Sequence, residues 1–378
     1  MVYDVCIIGT GSAGLSAAYT LALAGVTVVL IKQPKSNNLY IDKGETLNPN
    51  IGNLLSSINL KEKFEDLKLL KVSSFKSCWG SSKPVSRSAI FSPIGAGWIL
   101  NRPVFEDMLF QNNEDLGVKI IEGETKNVNR VKSIYEIQLN KSTSIYSTIS
   151  SKYIIYATGR KCPTFLNEGS KLSIDKLICC NIKIATNSSK IDTEVRLETV
   201  NSGWLYTVQT SSTYRILNFF TDGDLIKTNN KRELLSLISN YLQTSNCISN
   251  VISAGKLNNA LDIQVFSANT SFRNHSFGEG WFICGDLAQT FDPLSSMGIT
   301  TAIDNGIYTA RLIINHINGH LIAPTLHDAK RKDVFVKYLY NRLLYYKQEV
   351  RWQNSVFWDR RQNLDEYKKI LKALFGFI

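Results

Sequence analysis

Residues 4–18 read DVCIIGTGSAGLSAA, and this stretch decides the fold. The four residues before Gly9 are apolar, which is typical of a buried parallel strand, and the residues after Gly14 are good helix formers. Gly9, Gly11 and Gly14 have the G-x-G-x-x-G spacing. Such glycines allow a tight turn, the approach of a pyrophosphate to the backbone, and close packing of helix on strand. The stretch therefore predicts a dinucleotide-binding β-α-β unit.

The second strand of this unit departs from the dinucleotide-binding pattern. In such units it usually ends in Asp or Glu, which holds the ribose hydroxyls. Here the apolar residues 28–31 are followed by Lys32 and Gln33. The departure leaves the pyrophosphate site intact, but it leaves the ribose contact unexplained.

The composition is that of a globular protein, with 44% hydrophobic and 20% charged residues among 378. We expect no signal peptide and no membrane span, which needs ~20 apolar residues. The net charge of +11 favours an acidic partner, but Lys and Arg are scattered and we expect no nucleic-acid binding. The seven cysteines form no C-x-x-C pair, which predicts a cytoplasmic protein without disulfides or a metal site.

Further apolar stretches predict the rest of the architecture. Residues 152–160 and 280–286 are apolar and end in glycine turns, residues 175–225 are rich in strands, and residues 328–378 are helical in character. We expect an α/β fold in which a Rossmann-like domain is interleaved with an antiparallel-sheet domain, followed by a helical C-terminal segment. The predicted dinucleotide-binding domain comprises residues 1–75, 100–165 and 275–325, the substrate domain 76–99 and 166–274, and the helical segment 326–378.

Four separated motifs occur together in this chain. They are the glycines of residues 9–14, Tyr156-Ala-Thr-Gly-Arg160, Gly285-Asp286 and Asp292-Pro-Leu-Ser-Ser-Met-Gly298. The combination resembles the superfamily of FAD-dependent aromatic hydroxylases and flavin-dependent halogenases over nearly the whole chain. The resemblance implies an FAD-binding domain of the glutathione-reductase type.

The resemblance is closest to small halogenase-like monooxygenases. These include the maturation flavoproteins of quinone-cofactor amino-acid oxidases, which hydroxylate a tryptophan side chain of a partner protein. The motifs that carry it are Gly44-Glu-Thr-Leu-Asn-Pro49, Trp79-Gly80, Gly97-Trp98 with Arg102, Gly203-Trp204 with Tyr206, and Phe357-Trp-Asp-Arg-Arg361.

The resemblance also implies which residues contact FAD. The three glycines hold the pyrophosphate, Arg102 supports the phosphates or a ribose, and Asp286 accepts a hydrogen bond from a ribityl or ribose hydroxyl. Pro293 packs beside the isoalloxazine, and the helix that follows faces its pyrimidine end. The implied cofactor-binding residues are Gly9, Gly11, Ser12, Ala13, Gly14, Arg102, Gly159, Gly285, Asp286, Pro293, Ser296, Gly298 and Ile299.

The implied reaction is hydroxylation of an electron-rich aromatic, an indole or a phenol, through a flavin C4a-hydroperoxide. The resemblance implies NAD(P)H or a separate flavin reductase as the reductant, and the absence of a second glycine motif does not exclude NAD(P)H. The substrate is an aromatic small molecule or a residue of a partner protein, and the chain is a monomer or a homodimer.

The protein must hold the flavin and aim the substrate, so no nucleophile is needed. Glu45 is the candidate acid, either catalytic or a structural hydrogen-bond partner.

Two alternatives remain open from the sequence. A flavin halogenase needs a lysine near the substrate, and Lys76 is the candidate, although it also suits an exposed strand position. The residues after Gly97-Trp98 lack the second Trp of the halogenase tunnel motif, which favours a hydroxylase. The other alternative is a flavin-binding partner protein without turnover.

Aromatic residues within the resembling motifs are candidates for the substrate pocket. They are Trp79, Trp98, Trp204 and Tyr206. Because aromatic residues belong more often to the core than to a cavity, we expect one or two of the four to contact substrate.

Overall fold

The computed structural model describes residues 1–34, 41–140, 144–164, 166, 170–228, 230–320 and 325–375. The strands are β1 (Val2–Ile8), β2 (Val28–Lys32), β3 (Thr46–Leu47), β4 (Ser74–Cys78), β5 (Val85–Ser88), β6 (Trp98–Ile99), β7 (Lys119–Glu122), β8 (Thr125–Val131), β9 (Ile134–Leu139), β10 (Thr148–Tyr156), β11 (Lys171–Ser173), β12 (Leu177–Ala185), β13 (Glu194–Val200), β14 (Gly203–Gln209), β15 (Tyr214–Asp222), β16 (Ala260–Ser267), β17 (Ser271–Arg273), β18 (Phe277–Gly278), β19 (Trp281–Ile283) and β20 (Gln289–Thr290). The helices are α1 (Ser12–Leu23), α2 (Ile51–Ser56), α3 (Lys61–Glu65), α4 (Arg102–Asp115), α5 (Lys231–Gln243), α6 (Gly298–Ile317), α7 (Thr325–Lys347), α8 (Val356–Gln362) and α9 (Leu364–Phe375).

The first sheet is built around β1. It pairs in parallel with β10 on one side and β2 on the other, and β19 and β7 extend the parallel sheet outward. Strands β9 and β8 are added antiparallel beside β10, and β18 beside β19. The last four residues of β1 and the first four of β2 are all buried, as expected for parallel strands covered on both faces.

Helices α1, α4 and α6 cover one face of this sheet. Their buried side chains, among them Leu15, Phe105 and Ile303, form one hydrophobic cluster with the strands. Gly306 brings α6 close to α1, since a Cβ at this position would lie 2.3 Å from the carbonyl oxygen of Ala13. Burial of α1 between the sheet and α6 explains why nearly every residue of α1 is buried.

The second sheet has seven strands in the order β16-β12-β15-β14-β13-β4-β5. All neighbours are antiparallel except β13 and β4, which pair in parallel. Side chains alternate between its two faces. One face packs against α5 through Leu234, Ile238 and Leu242. We call the opposite face the cavity face, and it carries Cys179, Trp204, Tyr206, Asn218, Phe220 and Phe266.

The two sheets are interleaved in sequence. The first takes its strands from residues 2–32, 119–156 and 277–283, and the second from residues 74–88 and 177–267. The predicted α/β class, with a second, largely antiparallel sheet and a helical C-terminal segment, is confirmed. The domain boundaries proposed above stay a prediction. No helix in the described ranges is both long and apolar enough to cross a membrane.

The C-terminal helices connect the second sheet with the loop before α6. From α8, Arg361 pairs with Asp222 of β15, and the indole of Trp358 donates a hydrogen bond to the carbonyl oxygen of Val200. From α7, Arg342 and the Tyr346 hydroxyl both contact the Asp292 carboxylate. The segment therefore braces the loop that contains the predicted Asp292-Pro293 motif.

Candidate functional site

The glycine turn at residues 9–14 leaves the N-terminus of α1 open. Gly9 has a φ of +117°, and a Cβ there would lie 2.3 Å from the carbonyl oxygen of Ala157. A Cβ on Gly14 would lie 2.0 Å from the carbonyl oxygen of Gly9. Gly11 caps α1 without a side-chain hydrogen bond, and a Cβ at Gly11 would meet no neighbouring group within 4 Å. Free N–H groups at such a helix end are suited to phosphate oxygens.

A second helix begins at the same cavity. The loop before α6 turns at Ser296, which has a φ of +48°, and Met297 caps α6 without a side-chain hydrogen bond. The turn is fixed by Asp292, whose Oδ1 accepts a hydrogen bond of 3.0 Å from the backbone N–H of Leu294. Two helix N-termini, from α1 and α6, therefore present their partial positive charge to one space.

That space is a cavity of about 620 Å³ between the first sheet and the cavity face of the second. Of the predicted residues, those lining it are Gly11, Ser12, Ala13, Glu45, Arg102, Gly159, Trp204, Tyr206, Gly285, Asp286, Pro293, Ser296, Gly298 and Ile299. Gly9 and Gly14 do not line the cavity, because they form the tightly packed turn behind it.

Glu45 lies in the cavity wall as part of an ion pair. Its Oε1 is 2.9 Å from a guanidinium nitrogen of Arg102, and Arg102 Nε is 3.0 Å from Oε1 of Glu106. Ser12 at the start of α1 also contacts Glu106, at 3.4 Å. The network places Arg102 beside the N-terminus of α1, with Glu45 as one of its two acidic partners.

The aromatic wall of the cavity is formed by Trp204, Tyr206 and Phe220. The rings of Trp204 and Phe220 stack with centroids 3.9 Å apart and an interplanar angle of 18°. The Tyr206 hydroxyl donates a hydrogen bond of 2.9 Å to the carbonyl oxygen of Gly44, and burial raises the pKa of this phenol. Burial also raises the pKa of the Cys284 thiol to about 12, so both groups are uncharged at neutral pH.

Two of the four predicted pocket aromatics lie elsewhere. Trp79 packs between Tyr346 and Trp358, with ring centroids 5.6 and 5.5 Å away. Trp98 packs edge-to-face on Phe64 at 5.1 Å, in the hydrophobic core of the first sheet. Neither lines the cavity. Both indoles are half-buried and pack against other aromatic rings.

Lys76 is not brought to the cavity either. It is two residues from Cys78 on β4, and so it lies on the same face of the sheet. Cys78 packs with Leu234 and Ile238 of α5, on the face opposite the cavity. The sheet therefore separates Lys76 from the aromatic wall, and the candidate lysine for halogenation does not reach the predicted substrate position.

Several cavity residues were not predicted from the sequence. They include Lys43, Cys179, Asn218 and Phe266. Asn218 could have been found from the sequence, because it places an amide inside a largely apolar strand. Asn181 of β12 interrupts its strand in the same way. Both side chains are 3% exposed, and a buried amide needs a hydrogen-bond partner.

A group of potential metal ligands lies away from the cavity. Cys78, Cys247 and Glu198 are buried with their ligand atoms within 4.8 Å of one another. The Glu198 carboxylate already accepts backbone N–H groups of Asn246 at 2.6 Å and Ile248 at 3.2 Å. These hydrogen bonds give Glu198 a structural role in fixing the turn after α5.

The end of β2 carries no carboxylate for a ribose. Lys32 Nζ lies 2.5 Å from Oε1 of Glu122, its register partner on β7. The Gln33 side chain donates a hydrogen bond of 3.1 Å to the hydroxyl of Thr125. Residues 32 and 33 at the end of β2 therefore offer no carboxylate to a ribose hydroxyl, as the sequence indicated.

Comparison with known proteins gives relatives along almost the full chain. LodB of Marinomonas mediterranea, whose name describes an FAD-dependent oxidoreductase, is 23% identical over 363 residues, covering 95% of this chain and 96% of that protein. A 1H-pyrrole-2-carbonyl-[peptidyl-carrier protein] brominase of Pseudoalteromonas luteoviolacea is 24% identical over 336 residues, covering 84% and 79%.

Solved structures show the same fold. The peptidyl tryptophan dihydroxylase QhpG, described as essential for tryptophylquinone cofactor biogenesis, superposes with a TM-score of 0.76 at 18% identity, covering 96% of this chain and 79% of that one. The myxobacterial chondrochloren halogenase CndH has a TM-score of 0.79 at 18% identity, covering 99% and 90%. The family model described as FAD binding domain matches residues 2–333. The chain therefore belongs to this family of FAD-binding proteins.

Proposed function

We propose that the chain is an FAD-dependent monooxygenase that inserts one oxygen atom of O₂ into an indole or a phenol. The observation that carries this proposal is the cavity itself. Two uncapped helix N-termini lie on one side of it, and the stacked rings of Trp204 and Phe220 lie on the other. A phosphate-bearing flavin and an aromatic substrate match these two sides.

The residues present fit FAD. Gly11 leaves open space where a pyrophosphate would approach α1, and Arg102 is held beside it. The N-terminus of α6 would face the pyrimidine end of the flavin, where its partial charge stabilises negative charge on the reduced ring. Gly159, Gly285 and Asp286 line the cavity between these ends and would contact the ribityl chain and the riboses.

When bound and reduced, FAD supplies the activation of dioxygen, so that one oxygen atom enters the substrate and the other leaves as water. The two electrons come from NAD(P)H or from a separate flavin reductase. The chain's own residues orient the aromatic ring and exclude water. Since Glu45 is paired with Arg102 and the Cys284 thiol is protonated, neither is needed as a base or a nucleophile.

The position of Lys76 argues against this lysine as the residue that directs a hypohalous acid. A hypohalous acid directed by lysine requires that lysine beside the substrate, and Lys76 lies on the face of the sheet that packs against α5. The similarity to LodB over 95% of this chain supports an FAD-dependent oxidation. The fold shared with QhpG supports an aromatic group as its target, either in a small molecule or in a residue of a partner protein. Seven free cysteines are consistent with a reducing, cytoplasmic compartment.

A single-turnover experiment tests the proposal. The FAD-loaded protein is reduced without oxygen, mixed with isotopically labelled O₂ and an indole, a phenol or a tryptophan-containing peptide, and the products are analysed by mass spectrometry. We expect one labelled oxygen atom in the aromatic product, with Lys76→Ala behaving as the wild type.

Three results would contradict this function. A product that contains halogen only when chloride or bromide is added identifies a halogenase. Flavin oxidation that yields hydrogen peroxide with every aromatic offered argues against a monooxygenase. Failure to bind FAD supports a partner protein without turnover.

A further inference from the structure

The loop formed by residues 42–44 is fastened to the cavity face of the second sheet. Three consecutive backbone carbonyl oxygens each accept a hydrogen bond from a different strand. Asn181 Nδ2 of β12 donates to the Asp42 oxygen at 3.2 Å, Asn218 Nδ2 of β15 to the Lys43 oxygen at 2.8 Å, and the Tyr206 hydroxyl of β14 to the Gly44 oxygen at 2.9 Å. Because β12, β15 and β14 are adjacent, the three donors hold the loop in a fixed register above the sheet.

The Asp42 side chain makes two further hydrogen bonds that hold this loop. Asp42 accepts hydrogen bonds from the backbone N–H of Gly44 at 2.8 Å and from the hydroxyl of Thr210 at 2.7 Å. Gly44 has a φ of +65°, and a Cβ there would lie 2.9 Å from Cγ1 of Val208. Burying the amide of Asn218 is costly unless the amide forms hydrogen bonds, and its bond to the Lys43 oxygen meets this requirement. The buried amide therefore favours this position of the loop.

This anchoring places the side chain of Lys43 in the cavity. Lys43 Nζ lies 4.8 Å from the ring centroid of Phe266, on the same face as Cys179 and Trp204. An ammonium group over an aromatic face is attracted by the ring, but that attraction does not neutralise its charge.

Among the described residues, Lys43 differs from the acidic residues of the cavity wall in its lack of an oppositely charged neighbour. Three acids line the cavity, and each has a cation beside it. Glu45 pairs with Arg102 at 2.9 Å, Asp286 with Arg160 at 3.6 Å, and Asp292 with Arg342 at 3.4 Å. Within the part of the chain that the structure describes, no carboxylate lies within the 4.0 Å of an ion pair from Lys43 Nζ.

We propose that Lys43 is a specificity-determining residue that binds a carboxylate carried by the aromatic substrate. The inference rests on the proposed function, because it names the substrate class of the same cavity. A carboxylate placed beside the aromatic ring gains a charge-assisted hydrogen bond to Lys43, while the ring packs against Trp204 and Phe220. A neutral analogue leaves the ammonium group without a counter-charge and binds less tightly.

Ligand titrations of the oxidised, FAD-loaded protein test this inference without turnover. Flavin absorbance reports binding of indole-3-acetate against 3-methylindole, and of 4-hydroxyphenylacetate against 4-methylphenol. We expect the carboxylate of at least one pair to bind about 10-fold or more tightly than its neutral partner. Lys43→Met should abolish this preference, Lys43→Arg should retain most of it, and Lys76→Met is the matched control on the opposite face.

A peptide pair separates the two sources of the carboxylate. N-acetyl-Glu-Trp-amide is compared with N-acetyl-Gln-Trp-amide in the same titration. A preference seen with the free acids assigns the carboxylate to a small molecule. A preference seen with the peptides alone assigns it to an acidic residue beside the target in a partner protein.

The inference is overturned if the wild type shows no carboxylate preference, if no ligand binds, or if the preference persists in Lys43→Met. It is also overturned if Lys43→Met lowers FAD affinity and leaves the ligand preference intact, because Lys43 is then a cofactor ligand. FAD loading is measured first in every variant. A wild type that binds no FAD defeats the proposed function, whereas a loaded wild type without the preference defeats this inference alone.

Discussion

At the scale of single residues, the glycines of the first turn have two separate roles. Gly14 is required by the fold, because a Cβ there would lie 2.0 Å from a carbonyl oxygen. Gly11 faces open space and has a φ of −79°, which any residue adopts. Packing therefore requires a glycine at position 14 but not at position 11, where we expect the glycine to serve ligand binding.

Alanine substitutions at these two positions separate the roles. We expect Gly14→Ala to lower the free energy of unfolding of the FAD-free protein by about 1–3 kcal/mol, because the added methyl group overpacks the turn. Gly11→Ala should change it by less than about 0.5 kcal/mol. It should weaken FAD binding by about 10-fold or more, because the methyl group occupies the approach of the pyrophosphate.

Chemical denaturation of the FAD-free variants and flavin fluorescence titrations provide the two measurements. Equal loss of stability in both variants would contradict the assignment. So would FAD affinity in Gly11→Ala that equals that of the wild type.

The glycines are predictable from sequence, because their spacing and their position between strand and helix are local. Lys43 and Lys76 are not. Whether a lysine faces the cavity depends on the pleat of the second sheet, and β4 pairs with β13, which is more than a hundred residues away. The donors that hold the loop of Lys43 likewise come from separate strands, so no local pattern indicates that they converge.

At the scale of elements, α8 is anchored by a buried ion pair. Two nitrogens of Arg361 lie 2.5 and 3.1 Å from the two oxygens of Asp222, and both side chains are almost fully buried. Arg360 also reaches Asp222, at 2.9 Å, and pairs with the half-exposed Asp224 at 2.8 Å. Although burial alone would raise the pKa of Asp222, Arg361 and Arg360 hold it below its usual value.

Removing the negative charge of Asp222 leaves Arg361 buried without compensation. We expect Asp222→Asn to lower the free energy of unfolding by about 3–5 kcal/mol, as measured by urea denaturation at pH 7. The matched control Asp224→Asn removes a more exposed partner of Arg360, and it should cost less than about 1 kcal/mol. Comparable losses in the two variants would show that the Asp222 pair does not anchor α8.

Element positions follow from the sequence where the apolar pattern is long. The apolar run at residues 177–185 predicts a strand, and β12 has these bounds. The apolar spacing of Ile51, Leu54, Leu55 and Ile58 predicts a helix over residues 51–60, but α2 ends at Ser56 and the next helix, α3, begins at Lys61. The chain cannot continue as a right-handed helix through Asn59, which has a φ of +59°, and the hydrophobic periodicity does not indicate this turn.

At the scale of the whole molecule, the parallel sheet explains how distant motifs meet. Ile8 of β1 pairs with Tyr156 of β10, and Tyr156 pairs with Ile283 of β19. The loops that follow these strands carry the glycine turn, Gly159 and Gly285, and they meet because the carboxyl ends of parallel strands share one edge. The resemblance anticipates this convergence. The position of the second sheet over that edge emerges only from the structure.

The central claim is that the cavity binds FAD across the N-termini of α1 and α6. The most direct measurement is an equilibrium titration of the FAD-free protein with FAD, FMN and riboflavin, followed by flavin fluorescence. We predict saturation at one FAD per chain, with FMN and riboflavin binding much more weakly. FMN lacks the adenosine monophosphate portion of FAD and riboflavin lacks both phosphates as well as the adenosine, so neither offers a pyrophosphate to the N-terminus of α1. No saturable FAD binding, or equal binding of all three flavins, would contradict the account.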